Sequence, residues 1–435
     1  MKNTQLLALL LLFFGIQFTP AIAQENEELK VQSKYQTELD QLLEQGKIKQ
    51  AFKTILKQDQ QTLKEHIYLN EIPAPPFAEE ERAKAFLDMM IKIGVDSAWI
   101  DEVGNAIALR KGTKGKKTVV LDAHLDTVFP EGTDVKVKIQ GDTLYAPGIG
   151  DDTRGLAMVL AILRAMNDVE LQTEANVLFI GTVGEEGLGD LRGVKHLFSD
   201  KGPKIDSWIS IDGGNLGRVN YKGLGSHRFG VSFRGPGGHS WGAFGLANPH
   251  HALGSGIHYF VNAADKYVSS GPRTSYNVGR IGGGTSVNSI PFVSWMEVDI
   301  RSIDPSRLDD MDKILKDAMQ KALDEQNQLR KGGRPISLKV EMIGDRPSGE
   351  LSPDLALIQR AAAATRSFGV TPRPTRGSTN ANIPIAKGIP AVTIGRGGEG
   401  GRAHSLLEWW ANKDGYKGTQ YALLLLVAES GLATD

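Results

Sequence analysis

The chain has 435 residues, 40% of them hydrophobic and 23% charged, with a formal net charge of −1 and no cysteine. That composition excludes a disordered chain and allows two or three domains with a sizeable core. The absence of a basic excess argues against nucleic acid as a partner, and the absence of cysteine excludes disulfides, thiolate metal sites and a cysteine nucleophile. Any metal must therefore be held by His, Asp and Glu.

In chain order, Lys2, the apolar run Leu6 to Phe18 and the small residues Ala21-Ile22-Ala23 read as a secretory signal, residues 1–23. Cleavage near Ala23 predicts a secreted or periplasmic protein. The run is shorter than the roughly 20 apolar residues a membrane span needs, so no stable membrane anchor is expected. Leu39, Leu42, Leu43, Ile48, Ala51, Phe52 and Ile55 predict helix around Gly46, and Glu79 to Ile93 predicts another. The strand-like runs AIALR and KTVVLDAHLDTV flank the basic turn GTKGKK, which lacks the ending of a phosphate loop. Helices over Thr153 to Met166 and Gly193 to Phe198 alternate with strands over Ala175 to Val183 and Asp206 to Ile211. Continuously apolar strands such as TVVL and NVLFI predict a sheet covered by helices on both faces, with the polar residues that matter at strand ends.

After about Leu224 the pattern becomes βαββαβ, a ferredoxin-like arrangement, and from about Gly349 the α/β texture returns. The fold class is therefore α/β, a three-layer α/β/α domain (residues 24–223 and 347–435) interrupted by an inserted α+β domain (residues 224–346).

The stretch GIGDDTRG sets two adjacent acids, Asp151 and Asp152, where a helix begins. Glycines there can cradle a phosphate, but two carboxylates repel phosphate and suit a metal ion. His124 and Asp126 close an apolar strand, where alternation puts both on one side and lets the acid orient the imidazole. Glu185-Glu186 and Asp212 each follow an apolar strand, the position at which α/β sheets place their sites. His404, in the loop GGRAH, supplies a second imidazole. Two His and three acids can hold two zinc ions, whose +4 is balanced by Asp151, Glu186, Asp212 and a hydroxide.

Taken in order, HLDTV, GIGDDTRG, GEEGLGD, SIDGG, GGHS, NSIP, DIRS, GSTNAN and GGRAHS resemble the dinuclear zinc exopeptidases and deacylases that include glutamate carboxypeptidase, peptidase T, aminoacylase and succinyl-diaminopimelate desuccinylase. The resemblance covers nearly all of the chain after residue 23. It implies that Asp151 bridges two zinc ions, for which cobalt or manganese can substitute. His124 and Asp212 would complete one site and Glu186 and His404 the other, with Asp126 orienting His124, Glu185 as general base, and a cis peptide after Asp151. The insert would be a lid and homodimerisation domain, with His239 stabilising the oxyanion. Asn288, Arg301, Ser378 and Thr379 would contact substrate. Arg154 stands where many members have lysine, and Asn380 where many have aspartate. The implied activity is hydrolysis of a terminal amide bond in a short peptide or N-acyl amino acid through a metal-bound hydroxide. A lidless zinc aminopeptidase and a non-catalytic peptide-binding protein on the same scaffold are the rivals; the long insert between Asp212 and His404 argues against the first.

Overall fold

The computed structural model describes residues 28–433; the predicted signal segment lies outside them. The helical run around Gly46 divides into Ser33–Glu44 and Gly46–Lys57, because Gln45 turns to an extended backbone (ψ 132°) before the glycine starts a new helix. A third helix, Asp59–Asn70, carries the buried polar residues Glu65, His66 and Asn70, which is why apolar periodicity does not announce it.

The main sheet has nine strands. From one edge they run Ser97–Ile100, Ala106–Arg110, Asn176–Thr182, Thr118–His124, Ser207–Ile211, Ala391–Ile394, Arg218–Gly223 and Gly349–Glu350, with Arg373–Gly377 also beside Arg218–Gly223. The four central strands are parallel, in registers that pair His124 with Thr182 and Ile211 with Ile394. Their C-terminal ends therefore share one edge. Along Thr118–His124, Val119, Leu121 and Ala123 enter a core shared with the helices Thr153–Asp168 and Gly415–Ser430, while Val120 joins Leu178, Ile180 and Trp208 on the opposite face. Both faces are covered, as the continuous apolar runs predict. Truncating Leu121 to Ala at this centre costs about 2–5 kcal/mol.

The inserted segment forms a separate four-stranded antiparallel sheet in the order Thr274–Gly283, Val293–Ser302, Gly225–Arg234, Ser337–Arg346. With the helices Pro249–Val268 and Pro305–Leu329 this is the ferredoxin-like topology. Each of those helices starts on a side-chain cap followed by proline, Asn248 accepting from the His250 N–H and Asp304 from the Ser306 N–H. The stripe Leu308, Met311, Leu315 and Met319 packs on Met296, Val298 and Ile300. Ahead of Val293–Ser302 the chain is interrupted at Pro291, which cannot donate to a ladder, and Ser289–Ile290 pairs separately with Gly238–His239. The insert leaves the main sheet after Gly223 and returns at Gly349, and these two residues are paired in register.

A second small sheet, Glu399–Gly401, Trp409–Ala411, Thr143–Tyr145 and Lys138–Gln140, is not foreseen in the sequence. It braces the loop that carries His404.

Candidate metal centre

His124 ends its strand with Nε2 3.0 Å from Asp151 Oδ1 and Nδ1 2.9 Å from the Asp126 carbonyl oxygen. A proton on Nδ1 donated to that carbonyl leaves the Nε2 lone pair facing Asp151. The Asp126 carboxylate is placed differently from the strand-alternation expectation. The strand stops at His124, so Asp126 lies in the following loop, and its oxygens accept the backbone N–H groups of Glu185 (2.9 Å) and Glu186 (2.7 Å). Its nearer carboxylate oxygen is 3.7 Å from His124 Nδ1. One residue thus fixes the imidazole with its carbonyl and the glutamate pair with its side chain.

Asp151 reaches two imidazoles. Oδ1 faces His124, and Oδ2 is 3.4 Å from His404 Nε2, which also lies 2.9 Å from Glu186 Oε1. Ligand atoms of His124, Asp151 and Asp212 lie within 4.8 Å of one another, as do those of Asp151, Glu186 and His404. The two groups share Asp151. The Asp151–Asp152 peptide is cis, and Asp152 is fully buried, accepting the His124 N–H at 3.3 Å.

The electrostatics fit a cation between these groups. Burial pushes the Asp212 carboxyl up, and the neighbouring Asp151 pushes it further; burial likewise raises Glu186. Burial opposes ionisation of Asp151 too, but the two imidazoles hold it well below the usual carboxylate range. His404 is pushed up to about 10 by Asp151 and then Glu186. Clustered acids around two imidazoles are the donor set that zinc takes, and two divalent ions would replace those protons. Glu185 belongs to neither Asp151 group. Burial raises its carboxyl well above the usual range, Arg346 pulls it down, and Glu186 repels it upward.

These residues border a cavity of about 270 Å³ that also touches Val128, Arg228, Arg301, Arg346 and Ser378. Arg346 is buried, donates to Glu185 Oε1 (3.2 Å) and Ser378 Oγ (3.1 Å), and also bonds the Glu185 carbonyl. Of the residues implied to contact substrate, Arg301 and Ser378 line this cavity. Thr379 does not: its hydroxyl pairs with Thr393 at 2.8 Å in the core. His239 and Asn288 are also outside the lining. They flank the small Gly238–His239 ladder, where His239 pairs with Ser289 and the Ser240 N–H donates to the Asn288 carbonyl at 2.9 Å, and exposed His239 accepts through Nδ1 from the Trp241 and Gly242 N–H groups. Asn380 turns inward to Asp122 (2.7 Å) and Thr182 (2.6 Å), and Arg154 is buried against Trp410.

A family model described as Peptidase family M20/M25/M40 matches residues 120–428. The chain belongs to this peptidase family. Its relatives include the uncharacterised Bacillus subtilis protein YqjE, 24% identical over 78% of this chain and 91% of its own length. Carboxypeptidase G2 of a Pseudomonas species is also 24% identical, covering 67% of this chain and 68% of its own. Among solved structures, a Staphylococcus aureus tripeptidase superposes with a TM-score of 0.68 at 21% identity, covering 85% of this chain and 98% of its own. That similarity shows the fold, an α/β domain interrupted by an inserted α+β domain.

Three residues of this M20-family chain escaped sequence reasoning. Glu408 accepts the backbone N–H groups of Gly148, Gly150 and Asp151, each at 2.9 Å, and so clamps the loop that aims Asp151. Its carboxyl is pushed up to about 7 by burial and by the Asp151 charge. It stands four residues after His404, and that short spacing is the signal that ties it to the site. Arg346 and Arg228 end up beside the glutamates because their strands in the inserted sheet terminate over the cavity; no motif marks them.

Proposed function

We propose that this M20-family hydrolase is an exported enzyme that cleaves a terminal amide bond of a short peptide or N-acyl amino acid, using two zinc ions. The observation that carries this reading is Asp151, shared by two His–carboxylate groups beside a buried glutamate that belongs to neither. His124 and Asp212 would hold one ion, Glu186 and His404 the other, with Asp151 common to both. Bound there, such ions supply Lewis acidity and lower the pKa of water to about 7.

The chain's own groups do the rest. Glu185 takes a proton from the attacking water and returns it to the leaving nitrogen. Asp126 keeps Glu185 and Glu186 in register by holding both N–H groups, and its carbonyl keeps His124 in one tautomer. Arg346 anchors Glu185 and balances the rise in basicity that burial gives it. His239 would reach the oxyanion from a second copy. Its surroundings support a covered surface, since Trp241, Phe244, Val287 and Phe292 are exposed large apolar residues around it. Export rests on the apolar run Leu6 to Phe18 followed by Ala21-Ile22-Ala23.

Glu185→Ala should lower kcat about 10²- to 10⁴-fold while two zinc ions per chain remain bound. Undiminished activity would overturn the base assignment. A wild-type protein with no stoichiometric metal and no activation by zinc, cobalt or manganese would overturn the whole reading.

A further inference from the structure

A guanidinium lies buried behind the metal centre and outside its cavity. Arg396 follows the strand Ala391–Ile394, is 6% exposed, and is not among the residues that border the cavity. Its side chain has no hydrogen-bond or ion-pair partner among the described residues. Glycine backbone encloses it instead. A Cβ on Gly150 would lie 2.7 Å from Nη2, one on Gly400 3.1 Å from Nη2, and one on Gly213 3.4 Å from Nη1. Gly150 immediately precedes Asp151, Gly213 immediately follows Asp212, and Gly400 stands four residues before His404. The segments that carry these three side chains converge on one guanidinium.

The charges around it have both signs. Burial disfavours ionisation of Asp151, Asp152, Asp212 and Glu408, and Arg396 is among the cations that oppose it at all four. Glu185 and Glu186 complete the acids of the centre, with Arg346 on Glu185. On the cationic side, Arg218 donates to the Asp212 carbonyl at 2.6 Å, and Arg154 lies over Trp410 beside His66, which burial keeps neutral with a pKa lowered to about 3. A wedge between glycines needs no charge, since a methionine would fill the space without the desolvation that a buried ion costs. The charge of Arg396 therefore has a task, and only backbone separates it from the two aspartate ligands.

We infer that Arg396 is a fixed counter-charge of the metal centre, a positioning residue that steadies the Asp151, Asp212 and His404 segments while their carboxylates are unneutralised and that loosens the hold of those carboxylates on divalent cations. Guanidinium and zinc share one negative field, so the centre gives up affinity and bound ions keep more of their charge for polarising water. The inference rests on the two-ion reading of the centre and adds to it a residue outside the ligand set and the cavity.

The test is metal affinity. Full-length protein is stripped of metal and titrated with zinc against a chromophoric chelator, with circular dichroism reporting the fold. Wild type is compared with Arg396→Met, which keeps the length without the charge, and Arg396→Lys, which keeps the charge without the planar fork. The methionine variant should bind zinc at least about tenfold more tightly, and the lysine variant should stay within about threefold of wild type. The methionine variant should also lose more thermal stability without metal than with it, and at saturating zinc its kcat should fall while KM stays within about twofold. If methionine prevents folding, Arg396→Gln supplies the uncharged comparison. Zinc affinity unchanged or weakened in a folded uncharged variant, or a lysine variant that behaves like the uncharged one, would overturn the inference and leave the hydrolase reading intact. Wild-type protein that takes up no zinc would overturn both. The expected affinity change in a protein that takes up two zinc ions yet hydrolyses no amide would overturn the hydrolase reading alone.

Discussion

The two walls of the metal cavity are built in opposite ways. The sheet-edge wall is acidic, and the ligands proposed for it sit at or just past the ends of parallel strands held in register, so His124, Glu186 and Asp212 are placed by the same ladder that forms the core. The lid wall is basic. Arg228, Arg301 and Arg346 are carried on three strands of the inserted sheet, whose position over the cavity depends on the paired crossing at Gly223 and Gly349. On the proposed function the difference separates tasks: the sheet edge fixes where chemistry occurs, and the inserted sheet sets what lies over it.

Breaking the acidic wall from behind should have the larger effect. Glu408→Ala leaves three backbone N–H groups of the Asp151 loop without their acceptor, each costing about 1–3 kcal/mol if no water replaces it. We expect kcat to fall about 100-fold with weakened zinc retention, since a ligand displaced by a fraction of an ångström loses its geometry. Glu408→Gln, which keeps one acceptor oxygen, should recover part of the loss. Steady-state kinetics with metal analysis checks both, and an alanine variant with full activity and full zinc would show that the loop holds itself.

The lid wall is tested by asking whose His239 serves which site. His239→Ala should reduce kcat about tenfold or more if the imidazole serves the oxyanion. Mixing and reassociating it with Glu185→Gln decides the geometry. If His239 acts across a dimer, the mixed species regains one complete site and total activity returns to about a quarter of wild type. If it acts within its own chain, mixing restores nothing.

What the sequence makes legible follows the same division. His124, Asp151, Glu186, Asp212 and His404 are readable because each is a ligand-type residue next to an apolar run or glycine turn, and a parallel sheet gathers such ends at one edge. The lid topology is readable from alternating strands and two capped helices. The placement of Arg346 is not, because its strand alternates like any half-buried strand and only the crossing at Gly349 sets its last residue against Glu185. Glu408 looks like a loop acid until the small sheet brings it under Gly148 to Asp151. Strand alternation misplaces Asp126, because the strand ends at His124, two residues before it. The helix Asp59–Asn70 is not marked by apolar periodicity because much of its buried face is polar: Glu65 pairs with Arg164 at 2.7 Å and His66 Nε2 lies 2.6 Å from the Ile149 carbonyl.

The smallest effect concerns the lid alone. His227, on the strand Gly225–Arg234, has Nδ1 3.0 Å from Asp312 Oδ1 and Nε2 3.6 Å from Asp345 Oδ1. Burial by itself would depress the imidazole, but Asp312 and then Asp345 override it, and the folded pKa lies above the ordinary 6.5. A group raised on folding stabilises fully below its unfolded pKa and loses that contribution as pH rises through the folded value. The lid should therefore weaken above pH 6.5, by about 1–2 kcal/mol for one charge-assisted hydrogen bond. Denaturant melts at pH 6 and pH 9 measure the slope, and His227→Gln should flatten it while lowering stability at pH 6. The acidic wall contains no part of this pair, so zinc affinity at pH 7 should be the same in the variant. A variant that kept the wild-type slope would remove His227 as its source, and one that lost zinc would show the two walls to be coupled through the lid strand that also carries Arg228.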